Sequence, residues 1–250
     1  MERSALLAAL RARPPRERVI TALDVPSAAR AVALAATLGP DGRLVKVGLE
    51  LFSAAGPAVV ERLREIGKDV FLDLKWHDIP QTIAGAARAA AGLGAVFVTV
   101  HAAAGRRGLC AAAEALAAAA GGGKPRPALL AVTVLTSLAP EELDEIAPSG
   151  EPLPARVVRL ARLGWECGCD GVVCAAPDLE RLRGELGAQP LAVTPGIRPS
   201  CGATDDQRRV ATPAAAVAAG ADFLVVGRPI TGAADPAGAL LAITKELPER

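Results

Sequence analysis

Aromatic side chains are nearly missing from this sequence. There is no tyrosine, and only four phenylalanines and two tryptophans are spread over 250 residues. A chain so poor in aromatic platforms has little on which to stack unpaired bases. An excess of charge of one sign is missing too. The 28 Lys and Arg residues against 27 Asp and Glu leave a formal net charge of +1, so nothing draws the chain electrostatically to nucleic acid or to an anionic membrane. Long apolar runs are also lacking. The longest charge-free stretch, "AAAGLGAVFVTVHAAAG" at 89–105, is broken by glycine and carries His101. It reads as a helix end, a turn and a strand, not as a membrane span. The N-terminal "MERSALLAALRARPPRER" has an apolar run too short for a signal peptide and no small-residue cleavage site. It reads as an amphipathic helical extension, residues 1–17.

Cysteines are few and odd in number: Cys110, Cys167, Cys169, Cys174 and Cys201. A chain of this size needs no disulfide staples, so reduced thiols and a cytoplasmic location are expected. Cys167-Gly-Cys169 departs from the C-x-x-C spacing of metal sites, and Cys174 falls in an apolar strand, so no metal is assigned there.

What is abundant is core material. Hydrophobic residues make up 51% of the chain and charged residues 22%, enough for one large folded domain. Eight short runs rich in β-branched and aliphatic residues recur, at 18–25, 44–51, 70–75, 95–102, 129–136, 171–176, 191–197 and 223–230. Near-continuous apolar runs of this length suit parallel strands buried on both faces. Between them lie alanine- and leucine-rich segments with helical spacing, at 27–38, 53–66, 80–91, 106–119, 154–166, 178–186, 212–219 and 235–246. Several open beside capping residues (Ser27, Ser53, Asp178, Thr212-Pro213, Asp235-Pro236) and several close at glycine. Eight strands alternating with eight helices predict a single-domain α/β (β/α)8 TIM barrel. An open doubly wound sheet would carry a glycine-rich fingerprint after its first strand, and "ALDVPSAAR" has none. "GGGKPRP" at 121–127 is not a P-loop, because no Ser or Thr follows its lysine. The segment 137–153 is long for a connection and holds a short helical stretch, "PEELDEIA".

Barrel sites lie at the C-terminal strand ends, and the ionisable residues gather there. Asp24 ends the first run, Lys46 lies in the second, and "FLDLKWHDIP" ends the third with Asp73, Lys75 and Asp78. Alternation along a strand puts Asp73 and Lys75 on one face, toward the barrel axis, within reach of Lys46. Asp78, beyond the strand, has no forced direction. A structural ion-pair network is the alternative reading, but holding several charges there costs desolvation that apolar packing would avoid. The last two runs end in "VTPGIRP" and "VVGRPI", where barrels commonly cradle phosphate. Gly196 and Gly227 would let backbone N–H groups approach an anion, Arg228 offers a bidentate fork, and Gln207 in "DDQRR" an amide. His101 and His77 are given no proton-transfer role.

Taken together and in order, "LDV", "VKVGLELF", "FLDLKWHDIPQT", "VTVLTS", "TPGIRP", "DDQRR" and "ADFLVVGRPI", from about residue 18 to 232, resemble the bacterial orotidine 5′-phosphate decarboxylase family. The D-L-K-x-H-D-I-P-x-T pattern is the specific part. The resemblance implies decarboxylation of orotidine 5′-monophosphate to UMP in pyrimidine synthesis, with no metal and no organic cofactor. It implies that Lys75 protonates C6 of the substrate within an array of Asp73, Asp78 and Lys46. It implies a homodimer with shared sites, in which Asp78, Ile79 and Thr82 serve the neighbouring subunit. Asp24 and Lys46 would hold ribose hydroxyls and Thr136 the pyrimidine. Arg198 falls in the substrate-binding turn, and Gln207, Gly227 and Arg228 would hold the phosphate. Two other readings of the charge array remain: a metal-dependent barrel relative acting on a sugar phosphate, and a phosphate-ligand-binding barrel without turnover.

Overall fold

The computed structural model describes residues 2–120, 125–199 and 209–248. Eight parallel strands close on themselves: β1 (Val19–Ala22), β2 (Leu44–Gly48), β3 (Asp69–Trp76), β4 (Phe97–His101), β5 (Ala128–Val132), β6 (Gly171–Val173), β7 (Leu191–Thr194) and β8 (Phe223–Val226). Each pairs with the next, and β1 pairs with β8 through Val19↔Leu224 to Thr21↔Val226, which completes the ring. Helices connect them in a (β/α)8 barrel.

Every strand but β3 ends before the apolar run it occupies does, whereas β3, Asp69–Trp76, outruns its run at 70–75 at both ends. The run at 18–25 becomes Val19–Ala22, and the run at 223–230 stops at Val226. In both, the chain leaves the ladder just where the polar residues begin. After Val226 it turns into a short helix, Arg228–Thr231, whose second residue is Pro229. Proline lacks an N–H, which a first helical turn does not need. The segment 53–66 is two helices, Leu49–Ala55 and Ala58–Glu65. Gly56 at φ +63° followed by Pro57 breaks it. Ser27, Thr212 and Asp235 do cap helices, accepting from Arg30, Ala215 and Gly238 N–H groups. Ser53 lies inside a helix instead, and the Asp178 carboxylate turns to Arg209.

Two apolar layers result. One fills the space between barrel and helices. The other fills the barrel, with Ile20, Leu44, Phe71, Phe97, Leu130, Leu191 and Phe223 pointing inward. The N-terminal helix Arg3–Arg11 buries Leu6, Leu7 and Leu10 against this inner layer. Two residues beyond the inward Leu44, Phe71 and Phe97 on their strands lie Lys46, Asp73 and Thr99. The strand period of two therefore sets polar side chains on top of an apolar plug.

Candidate active site

A tight turn in which Val25 N–H donates to the Leu23 carbonyl places Asp24 just past β1, over the end of β2. There its carboxylate accepts a 2.9 Å hydrogen bond from Lys46 Nζ. Lys46 Nζ in turn stands 3.8 Å from Asp73 Oδ2, and Asp73 Oδ2 accepts from Lys75 Nζ at 2.8 Å. The sequence Asp24–Lys46–Asp73–Lys75 is thus a continuous row of alternating charge. Its inner members are the more enclosed: the Lys46 and Asp73 side chains are 11% and 9% exposed, against 54% for Asp24 and 31% for Lys75 at the ends.

Lys75 does not reach this row by plain strand alternation. Leu72 pairs with Val98 and Trp76 with Val100, so β3 spends four residues where β4 spends two. Lys75 sits in that bulge at φ +49°, the one positive φ among the described non-glycine residues. Such a backbone is uncommon for a long side chain. The Asp73 and Lys75 side chains converge because the chain is bulged, not because it is regular.

Above the row opens a cavity of about 460 Å³. Asp24, Lys46, Asp73 and Lys75 line one wall, and Thr136, Arg198, Gly227 and Arg228 line the rest with Pro195, Gly196 and Thr231. Its floor is apolar, with Phe71, Val132, Val173 and Val225. The loop after β7 is stitched at its two ends: Arg198 N–H donates to Ala211 O at 2.9 Å and Ala211 N–H to Gly196 O at 3.2 Å. Gln207 lies outside the described residues, as does Cys201.

Asp78, Ile79 and Thr82 are exposed and do not line their own chain's cavity. Asp78 Oδ1 accepts from the Ile79 N–H, and Ile79 opens 65% of its surface to solvent. The His77 and His101 rings stack at 5.3 Å beside them. Two residues that touch the site carried no signal in the sequence. Cys174 lines the cavity with its thiol pushed up to about 12 by burial, which keeps it protonated and inert. Thr99 lies beneath the row, where its hydroxyl donates to Asp73 Oδ1 at 3.0 Å. A threonine inside an apolar run offers nothing in sequence to mark it.

A row of alternating charge beside an anion-suited rim can hold a phosphorylated ligand at one end and bring an ammonium group to bear on its other end. Comparison with known proteins narrows the choice. Residues 17–243 match the profile of the orotidine 5′-phosphate decarboxylase / HUMPS family. The chain belongs to this family. It is 56% identical over 234 residues to the orotidine 5′-phosphate decarboxylase of Halorhodospira halophila, covering 94% of this chain and 96% of that one. It is 51% identical over 233 residues to that of Anaeromyxobacter sp. strain K, covering 93% and 99%. The crystal structure of orotidine 5′-phosphate decarboxylase from Lactobacillus acidophilus superposes with a TM-score of 0.82 at 41% identity, over 91% of this chain and 97% of that one.

Proposed function

We propose that this chain decarboxylates orotidine 5′-monophosphate to UMP, with Lys75 as the proton donor. The observation that carries this reading is the Asp73–Lys75 pair at 2.8 Å on the wall of a cavity rimmed by Arg198, Gly227 and Arg228. Loss of CO2 leaves an electron pair on C6 of the pyrimidine. An ammonium fixed beside that carbon stabilises the developing charge and then delivers its proton to it. A substrate carboxylate held about 4 Å from Asp73 would be repelled by about 4 kcal/mol at an effective dielectric near 20, worth roughly three decades in rate. Asp24 and Lys46 would hold the ribose hydroxyls, and Thr136 the pyrimidine. Arg228 and the Gly227 N–H, with Gln207, would hold the phosphate. Binding at that remote group can supply the energy to orient C6 on Lys75.

The chain is read as one barrel domain with an N-terminal helical extension, acting in the cytoplasm as a homodimer. The exposed Asp78, Ile79 and Thr82 fit donation to a second copy, where Asp78 would extend the row of charge by one carboxylate. Neither a metal nor an organic cofactor enters the reaction.

Purified protein mixed with orotidine 5′-monophosphate and EDTA should deplete the substrate absorbance. Lys75→Ala should retain the fold and lose roughly 10⁴-fold or more of kcat, since proton transfer and charge stabilisation are removed together. Activity that disappears with EDTA would transfer the site to metal-dependent sugar-phosphate chemistry. Binding of UMP by wild type without turnover would make it a binding barrel.

A further inference from the structure

Thr99 is fully buried, yet it stands where an isosteric valine would fill the same space. Its hydroxyl makes two hydrogen bonds. It accepts from the Lys75 backbone N–H at 2.8 Å and donates to Asp73 Oδ1 at 3.0 Å. The assignment of the single hydroxyl proton is forced, because a backbone N–H can only donate and a carboxylate can only accept. One small group on β4 therefore grips both members of the Asp73–Lys75 pair on β3. Between Leu72↔Val98 and Trp76↔Val100 the regular ladder gives way to the bulge. The threonine hydroxyl takes the place of the ladder partner that the Lys75 N–H has lost there.

We infer that Thr99 is a positioning residue for the reaction: its hydroxyl holds the Lys75 backbone in the left-handed conformation and fixes the Asp73 carboxylate, so that the two reach the substrate at one set spacing. Thr99 does not line the cavity and acts only through these two neighbours. A non-glycine residue at φ +49° persists when its surroundings over-determine it. Here the surroundings are this hydroxyl on one side and the Lys75–Asp73 ion pair on the other. The carboxylate is fixed in the same way, since Oδ1 is taken by Thr99 and Oδ2 by Lys75. Neither oxygen can rotate away without breaking a bond.

The inference rests on the reading of Lys75 as proton donor, and its test separates the two. Thr99→Val keeps the volume and removes both hydrogen bonds, while Thr99→Ser keeps the hydroxyl. With orotidine 5′-monophosphate as substrate, T99V should lower kcat by about 10- to 100-fold, the scale on which small misplacements act. Its KM and its affinity for UMP should change by less than about threefold, since neither Asp73 nor Lys75 is assigned to hold the phosphate. T99S should recover most of the lost kcat. Crystal structures of wild type and T99V read the geometry without turnover, and in T99V Lys75 should leave positive φ and its Nζ should move off Asp73. Wild-type kcat in T99V, equal losses in T99V and T99S, or an unmoved Lys75 would overturn the inference. If wild type itself turns over no orotidine 5′-monophosphate, the decarboxylase reading fails, and the crystal structures still decide whether Thr99 sets the array.

Discussion

His101 closes β4 two residues after Thr99, and its neighbours make it a pH-dependent point in the fold. Its Nδ1 accepts a hydrogen bond from the Ala103 N–H at 3.2 Å, which requires an unprotonated Nδ1. Burial pushes its pKa below the ordinary histidine value, and His77 and Lys75 push it further the same way. Folding therefore favours the neutral ring. The stability this gives is present above about pH 6.5, the unfolded value. It is lost as pH falls from there through the lowered folded value, because the unfolded chain takes up the proton first. Melting temperature should fall across that interval, and His101→Gln should flatten the fall. A variant whose pH profile matches wild type would remove His101 as its source. Residue identity was the most legible part of the site. The acids and lysines of "FLDLKWHDIP" stand out against an apolar run. Their directions were less legible, because strand alternation points Lys75 inward for the wrong reason: a bulge and a left-handed backbone bring it there. Thr99 was not legible at all, since its partners lie on another strand.

At the scale of elements, glycines separate packing from catalysis. Gly171 begins β6, where a Cβ would lie 2.5 Å from the Leu191 carbonyl oxygen and 2.6 Å from its Cβ. Backbone on the neighbouring strand cannot step aside cheaply. Gly171→Ala should cost about 1–3 kcal/mol, or a fall in melting temperature of roughly 5 °C. Gly48 ends β2, where a Cβ would lie 2.9 Å from Lys46 Nζ and 3.2 Å from Asp24 Oδ1. These are the free ends of flexible side chains and can move. Gly48→Ala should therefore melt near wild type while losing roughly 10- to 100-fold in kcat/KM, because the row of charge is displaced. Thermal melts and steady-state kinetics on both variants check the contrast, and a Gly48→Ala protein of unchanged kcat/KM would sink it. Eight strands and their order were legible because period and spacing repeat. Their ends were not, since the same apolar residues continue into the loops that carry the site.

Across the whole molecule, the bottom of the barrel is held by charge just as the top is. The helix Arg3–Arg11 carries an arginine at each end. Arg3 reaches Asp170 at 3.6 Å and lies over the Trp165 ring at 3.4 Å. Arg11 reaches Asp222 at 3.4 Å. Each aspartate has a second arginine: Arg126 grips Asp170 at 2.6 and 2.9 Å, and Arg183 grips Asp222 at 2.8 Å. Each also accepts from a strand N–H, of Leu129 or Ala192. A helical segment near the N-terminus could be read from sequence, although the helix itself covers only Arg3–Arg11 of the expected 1–17. Its two anchors could not, since Asp170 and Asp222 lie far along the chain. Asp170 is wholly buried, so Asp170→Ala strands the Arg126 guanidinium and should cost about 3–5 kcal/mol, or roughly 10 °C of melting temperature. Arg3→Ala, whose side chain is partly open to solvent, should cost about 1 kcal/mol. Removing residues 2–12 adds the lost burial of Leu6, Leu7 and Leu10, each worth about 1.5–3 kcal/mol. These losses fall at the end of the barrel opposite the row from Asp24 to Lys75. All three variants should therefore keep near wild-type kcat at a temperature well below their melts. A kcat that falls in step with melting temperature would mean that the bottom clamp reaches through the Phe71–Phe97–Phe223 plug and sets the geometry above it.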